Sequence, residues 1–277
     1  MYKRQGEIGE RNVIAYRSLQ KGAQYIEDTW RSQGYEVTSQ EYVVQMRKVR
    51  NLIAEIHGGS RANEIVILGA HYDTVDDCPG ADDNTSGVAA LLEVARILKD
   101  SHPARTLRFV AFVNEEDPWF QTENMGSWVY AKQAHKLHEN IVAAISVESI
   151  GTYSDAEGSQ QYPDERFKFL YPARGNFIAF VGNLGSRGLV RDAIRSFRAT
   201  ATIPSVGGAL PPFIEGVSWS DHWSFWQEGY PAIEVTDTPP FRNKNYHQPT
   251  DKPDTLDYDR MTRVVHGLVR VVTDLGK

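Results

Sequence analysis

Two consecutive glutamates, Glu115 and Glu116, follow an apolar run from Arg105 to Asn114 that reads as a β-strand. Paired carboxylates in that place suit metal-assisted hydrolysis, because one can ligate a cation while the other moves protons on the water that the cation activates. Successive side chains of a strand turn to opposite faces, so the two cannot serve one ion as equivalents. Taken alone, they fit a solvated acidic pair at a strand end better than a catalytic one, and only the rest of the chain reverses that. A second run, Ile65 to Leu68, is apolar and largely β-branched, as a strand buried on both faces requires. It leads through Gly69 and Ala70 to His71 and Asp73, two residues apart and so on one side of an extended chain. There Asp73 can accept a hydrogen bond from the imidazole nitrogen turned away from a metal, which fixes the tautomer of a ligating histidine.

Asp82 and Asp83 precede an amphipathic segment running from Val88 to about Lys99, with Leu91, Val94, Ala95 and Leu98 at helical spacing. Acids in that position are ordinarily explained by capping and the helix dipole. One of the two therefore reads as structural and the other as a candidate bridge between two cations. Glu148 ends the strand-like run from Ile141 to Val147, and His247 lies in a Tyr-His-Gln-Pro-Thr-Asp loop ahead of the last helix. Cys78 is the only cysteine, which excludes an intrachain disulfide, and its Asp-Cys-Pro loop gives it a structural reading rather than a ligand one. His222, in Asp221-His222, likewise reads as structural or supporting. Imidazole and carboxylate donors without a thiolate match zinc or a neighbouring divalent ion. No serine nucleophile elbow, P-loop or dinucleotide fingerprint competes.

The ordered set of His-x-Asp, Gly-x-Asp-Asp-x-x-Ser-Gly, Glu-Glu, an acid at a strand end, and Tyr-His ahead of Asp-Thr resembles the co-catalytic zinc aminopeptidases of peptidase family M28, over nearly the whole chain from Ile8 onward. The resemblance implies two zinc ions, one on His71 and Glu148 and the other on Glu116 and His247, with Asp83 as the bridge. It implies Glu115 as general base, Asp73 behind His71, and Tyr246 as a donor to the tetrahedral oxyanion. The position of Glu148 is commonly Asp in that family, which leaves denticity and metal preference open there. The implied activity is removal of the N-terminal residue of peptides, with the free ammonium read by Glu115 and Glu148 and the 152–176 loop closing over the chain end. An apolar side chain such as Leu or Phe is expected from aromatic loops at Trp119, Phe120, Tyr153, Phe213, Trp219 and Trp223, although Trp223, with Phe225 and Trp226, also reads as core of a short helix. Arg174, Arg187 and Arg242 fall in no motif for a substrate carboxylate and read as solvated surface or loop charges. Three rivals remain: a one-zinc glutaminyl cyclase, a deacylase or carboxypeptidase of the M20 type, and an inactive binding module of the same fold. The second carries an inserted lid for which the 148–247 interval has little room. The third would not need every ligand together with Glu115.

Gathering these donors calls for several strand ends at one edge of a sheet. The pattern supplies them: a helix from Val13 to Gly34, strands over 35–45 and 49–57 forming an edge hairpin, then strands and helices alternating through 64–72, 86–99, 106–114, 126–137 and 141–147. An irregular stretch, 152–176, precedes a strand at 177–181, helices at 188–198 and 221–228, a strand at 232–236 and a last helix at 256–275. Such alternation predicts a three-layer α/β/α sandwich with a mixed, mostly parallel central sheet, and the lack of repeats or linkers predicts one domain over 1–277. A net charge of −6 argues against a nucleic-acid partner. No apolar run approaches the ~20 residues of a membrane span. Met1 to Arg11 starts basic but has no hydrophobic stretch, so no signal peptide is expected, and the location is left open between cytoplasm and exterior.

Overall fold

The computed structural model describes residues 8–277, so the residues at the very N-terminus that bear on a targeting segment lie outside it. The first helix, α1 (Tyr16–Ser32), buries Leu19, Ala23, Ile26 and Trp30, a single stripe at three- and four-residue spacing. β1 (Val37–Val44) and β2 (Arg47–Ile56) form the expected antiparallel edge hairpin. Their two-residue turn, Gln45 and Met46, has positive φ at both positions, the handedness that matches strand twist.

From β3 (Arg61–His71) the chain alternates through α2 (Gly87–Leu98), β4 (Arg105–Phe112), α3 (Gly126–Lys136) and β5 (Asn140–Glu148). After a long irregular stretch come β6 (Ile178–Gly182), α4 (Arg187–Arg198), β7 (Ser205–Ala209), α5 (His222–Gln227), β8 (Ala232–Thr236), the short α6 (Pro239–Arg242) and α7 (Tyr258–Leu275). The strands make one sheet in the order β1-β2-β4-β3-β5-β8-β6-β7. Four of its pairings are parallel, while β1–β2, β2–β4 and β6–β8 are antiparallel. Alternating residues of each strand feed two cores. Val66, Leu68 and Ala70 of β3 pack with α1, α2, α4 and α7, whereas Ile65 and Ile67 pack toward Tyr130 and Ala131 of α3 and Phe225 of α5. The result is the predicted three-layer α/β/α sandwich.

β7 departs from the sequence expectation, which had no strand there. Its Ser-Val-Gly-Gly-Ala sequence carries little strand signal because glycine has no side chain to pack. Among the described residues no helix is long and apolar enough to cross a membrane.

Candidate active site

The parallel strands deliver their C-terminal ends to one edge of the sheet. His71 is the last residue of β3 and Glu148 the last of β5. β4 stops at Phe112, so Glu115 and Glu116 lie beyond it rather than on it. Asn114, at φ 60°, breaks the pleat just before them, and both carboxylates then reach one cavity. Strand alternation therefore does not separate the pair. A tight turn, Ala81–Ser86, brings in Asp83, and the loop before α7 brings in His247, itself at φ 56°.

His71 Nε2 stands 3.1 Å from Glu148 Oε2, 3.3 Å from Asp83 Oδ1 and 3.7 Å from Glu115 Oε2. His247 Nε2 stands 3.0 Å from Asp83 Oδ2 and 3.3 Å from Glu116 Oε2. Asp83 thus turns one oxygen toward each histidine. Three sets of potential ligand atoms gather within 4.8 Å: His71–Asp83–Glu148, Asp83–Glu116–His247, and His71–Glu115–Glu116. Several of these buried atoms have no hydrogen-bond partner, among them both nitrogens of His71, Asp83 Oδ1, Glu116 Oε1 and His247 Nε2. Orphaned donors and acceptors converging from four side chains are what a cation site requires, since each is otherwise costly to bury.

The electrostatics agree. Burial, with Asp83 next, pushes the Glu116 carboxyl up to about 8, and burial raises Glu115 and Glu148 as well. Burial opposes charge on the histidines, yet the surrounding carboxylates prevail: Glu148 and Glu115 hold His71 well above its ordinary value, and Asp83 and Glu116 bring His247 to about 10. His247 and His71 overcome burial to hold Asp83 below the usual carboxylate range. So much mutual perturbation in one cleft marks a functional site.

The surroundings explain how the donors are aimed. Asp73 faces His71 Nδ1 at 3.5 Å, longer than a well-formed hydrogen bond. Its closer partners are the backbone N–H groups of Glu115 and Glu116, both at 3.1 Å. Asp251, which the sequence reading passed over, does the same for the other acidic pair, accepting from the N–H of Asp82 at 2.9 Å and of Asp83 at 3.1 Å. Asp82 is the structural member of its pair: it accepts from Gly151 N–H, the Thr152 hydroxyl and the Asn243 amide. Ser220 Oγ donates to Glu148 Oε2 at 2.8 Å, and Asn84 ties together the start of α2 and the exit of β5 by accepting from Gly87 N–H and Ser149 N–H. Buried Arg11 laces the loop after β3, donating to the carbonyls of Tyr72, Pro79 and Gly80 and to the Thr85 hydroxyl. Gly80, at φ +62°, is pressed so close that a Cβ would sit 2.2 Å from Thr74 Cγ2. The Cys78 thiol, buried and raised to about 12, donates to the carbonyl of Gln248 beside His247.

Other expectations divide. His222 is structural, with Nε2 donating to the Val217 carbonyl at 2.8 Å and its ring edge-on to Trp226. Phe225 is core and Trp226 packs against it, while Trp223 meets Trp128 away from the cavity. Phe120 and Trp219 line the cavity, as do Tyr162, Phe167 and Tyr171 of the 152–176 loop. Trp119 and Tyr153 instead pack on the core, and Phe213 points to solvent. Arg174 and Arg187 are exposed, but Arg242 is not a solvated charge. It donates to Gln160 Oε1 and to the carbonyls of Thr152, Gly175 and Phe177, stacked on the Phe177 ring, and so pins the irregular loop. Tyr246 lines the cavity with its ring stacked on His247 at 3.8 Å.

The family model described as Peptidase family M28 matches residues 51–272. YfbL of Escherichia coli (strain K12), called uncharacterized, is 38% identical over 263 residues, covering 92% of this chain and 80% of that protein. Among solved structures, the LapA aminopeptidase of Legionella pneumophila is similar with a TM-score of 0.76 at 18% identity, over 99% of this chain and 69% of that one. The glutaminyl cyclase of Fimbriiglobus ruber is similar with a TM-score of 0.71 at 19% identity, over 98% and 92% respectively. At these identities the two structures speak for the fold.

Proposed function

The chain belongs to peptidase family M28, and from that premise we propose that it is a zinc-dependent aminopeptidase whose sheet and helices act as one catalytic domain. The observation that carries the dinuclear form of this reading is Asp83, with Oδ1 3.3 Å from His71 Nε2 and Oδ2 3.0 Å from His247 Nε2. A carboxylate placed between two imidazoles, each backed by its own glutamate, suits two ions: His71, Glu148 and Asp83 would hold one, and His247, Glu116 and Asp83 the other. The donor set of nitrogen and carboxylate oxygen suits zinc. When bound, the ions supply Lewis acidity that polarises the scissile carbonyl and acidifies the attacking water.

The protein's own groups do the rest. Glu115 is the acid left outside those two sets, and burial together with Glu116 and Glu148 raises its affinity for a proton. It can take a proton from water and return it to the leaving amine. Burial and the nearby carboxylates keep the Tyr246 hydroxyl protonated, leaving it able to donate to the developing oxyanion. Asp73 and Asp251 hold the main chain under the two acidic pairs, so the donors are pre-positioned.

Elemental analysis of protein reconstituted with zinc should find two ions per chain, and Asp83→Ala should weaken both sites together because only a bridge is shared. A single tightly bound or activating ion would overturn the dinuclear assignment.

A further inference from the structure

Beyond the edge that carries His71, Glu148 and Glu116, the cavity, about 260 Å³ in all, continues over β8, β6 and β7. Its wall is apolar and aromatic, with Tyr162, Phe167, Tyr171 and Phe177 among the lining, but Glu234 in the middle of β8 also opens into it. Register fixes the depth. Glu234 pairs with Ser146 while Thr236 pairs with Glu148, so Glu234 lies two residues below the Glu148 level, roughly 6–7 Å along the strand. Residues 234 and 236 share a face, and the intervening Val235 packs into the core on the other side. Glu234 is 4% exposed, and among the described residues its carboxylate accepts no hydrogen bond and meets no cation. Among the described residues no Lys or Arg lines the cavity, whereas Asp117 and Glu215 add exposed carboxylates near its mouth. Burial, with Glu148 next, holds this acid well above the usual carboxyl range, so its ionised form is costly here until a cation reaches it through the cavity.

We propose that Glu234 makes this a pocket for a cationic side chain, so that the enzyme removes an N-terminal lysine or arginine whose methylenes lie along the aromatic wall and whose charged tip meets the Glu234 carboxylate. This rests on the aminopeptidase reading and narrows its substrate class. The wall alone would suit Leu or Phe, the preference expected from the aromatic loops, but either would leave the acid at the floor unpaired. Sites built around a polar group discriminate strongly against analogues that lack its partner.

Lysyl and norleucyl p-nitroanilides test this directly, because norleucine is lysine without the terminal ammonium. In zinc-loaded native protein kcat/KM for the lysyl and arginyl substrates should exceed that for the norleucyl substrate by at least about tenfold, and Glu234→Gln should cut the lysyl-to-norleucyl ratio by at least about tenfold. Independently of turnover, lysinamide should raise the Tm of native protein more than norleucinamide does, a difference that Glu234→Gln abolishes. Norleucyl turnover equal to or above lysyl turnover, or a ratio unchanged by Glu234→Gln, would overturn the proposal. Failure to cleave any of the three anilides would instead overturn the aminopeptidase reading, with the Tm comparison still deciding the role of Glu234.

Discussion

Glu115 and Glu116 are adjacent in sequence and unlike in surroundings. Glu116 faces His247 at 3.3 Å, while Glu115 stands 3.7 Å from His71, the longest of that histidine's contacts with the clustered carboxylates. A proton carrier outside the ligand set affects rate more than metal content. Glu115→Gln should therefore retain two zinc ions and lose at least about 10²-fold in kcat, as elemental analysis and steady-state kinetics on one preparation would show. Near-native turnover would move the base to Glu116. At this scale the sequence was informative where chemistry needs unusual residue types: His71, Asp83, Glu115, Glu116, Glu148 and His247 do converge. It was silent on Asp251, Ser220 and Glu234. The first two act on backbone or side-chain atoms remote in sequence, and the third sits in an Ile-Glu-Val run that reads as ordinary strand.

Among the elements, the start of α2 is a tight joint. A Cβ on Gly87 would lie 2.2 Å from Asn84 Oδ1 and 2.4 Å from the carbonyl of Val147, the residue before Glu148. Backbone cannot move aside cheaply there. Gly87→Ala should lower unfolding free energy by about 2 kcal/mol or more and weaken zinc binding, since the displaced carbonyl belongs to the strand that aims Glu148. Denaturant melts and a metal titration would check both effects. A second expectation concerns α5. Burial lowers His222 to about 4, whereas an unfolded histidine titrates near 6.5. As pH falls, the unfolded chain takes up the proton first, so the stability contributed by the neutral ring is whole above pH 6.5 and is lost between about 6.5 and 4. The span corresponds to an order of 3 kcal/mol. His222→Gln should flatten the pH dependence of unfolding free energy in that window, and an unchanged slope would remove His222 as its source. Helices and parallel strands were legible because their apolar periodicity is strong, as with Leu19, Ala23, Ile26 and Trp30 of α1. β7 was not, because Gly207 and Gly208 carry no pattern and the strand exists through its pairing with β6.

For the whole molecule the question is which end of a peptide enters. Among the described residues the cavity is lined by carboxylates and by no Lys or Arg, and the half-buried Arg242 nearby is committed to backbone carbonyls and Gln160. A free ammonium suits that field and a substrate carboxylate does not. Acetylating the amino group of a good aminoacyl anilide should cost more than about 10²-fold in kcat/KM, the scale set by buried polar groups left unpaired. Equal rates on blocked and free forms would point to an amidase or deacylase.

Where β5 meets β8, the sheet changes office. On one side lie the strand exits that carry His71 and Glu148; on the other lies the bed proposed to receive the side chain to be cut away. The β5–β8 pairing joins the two halves. Diet and chemistry can consequently drift apart: exchanges on β6, β7 or the 210–217 loop can retune which peptides are trimmed while the reaction centre is inherited intact. Proteins sharing this sheet would then diverge along one margin, and a designer seeking a new preference has a margin to rewrite that holds none of the six residues assigned to metal or proton.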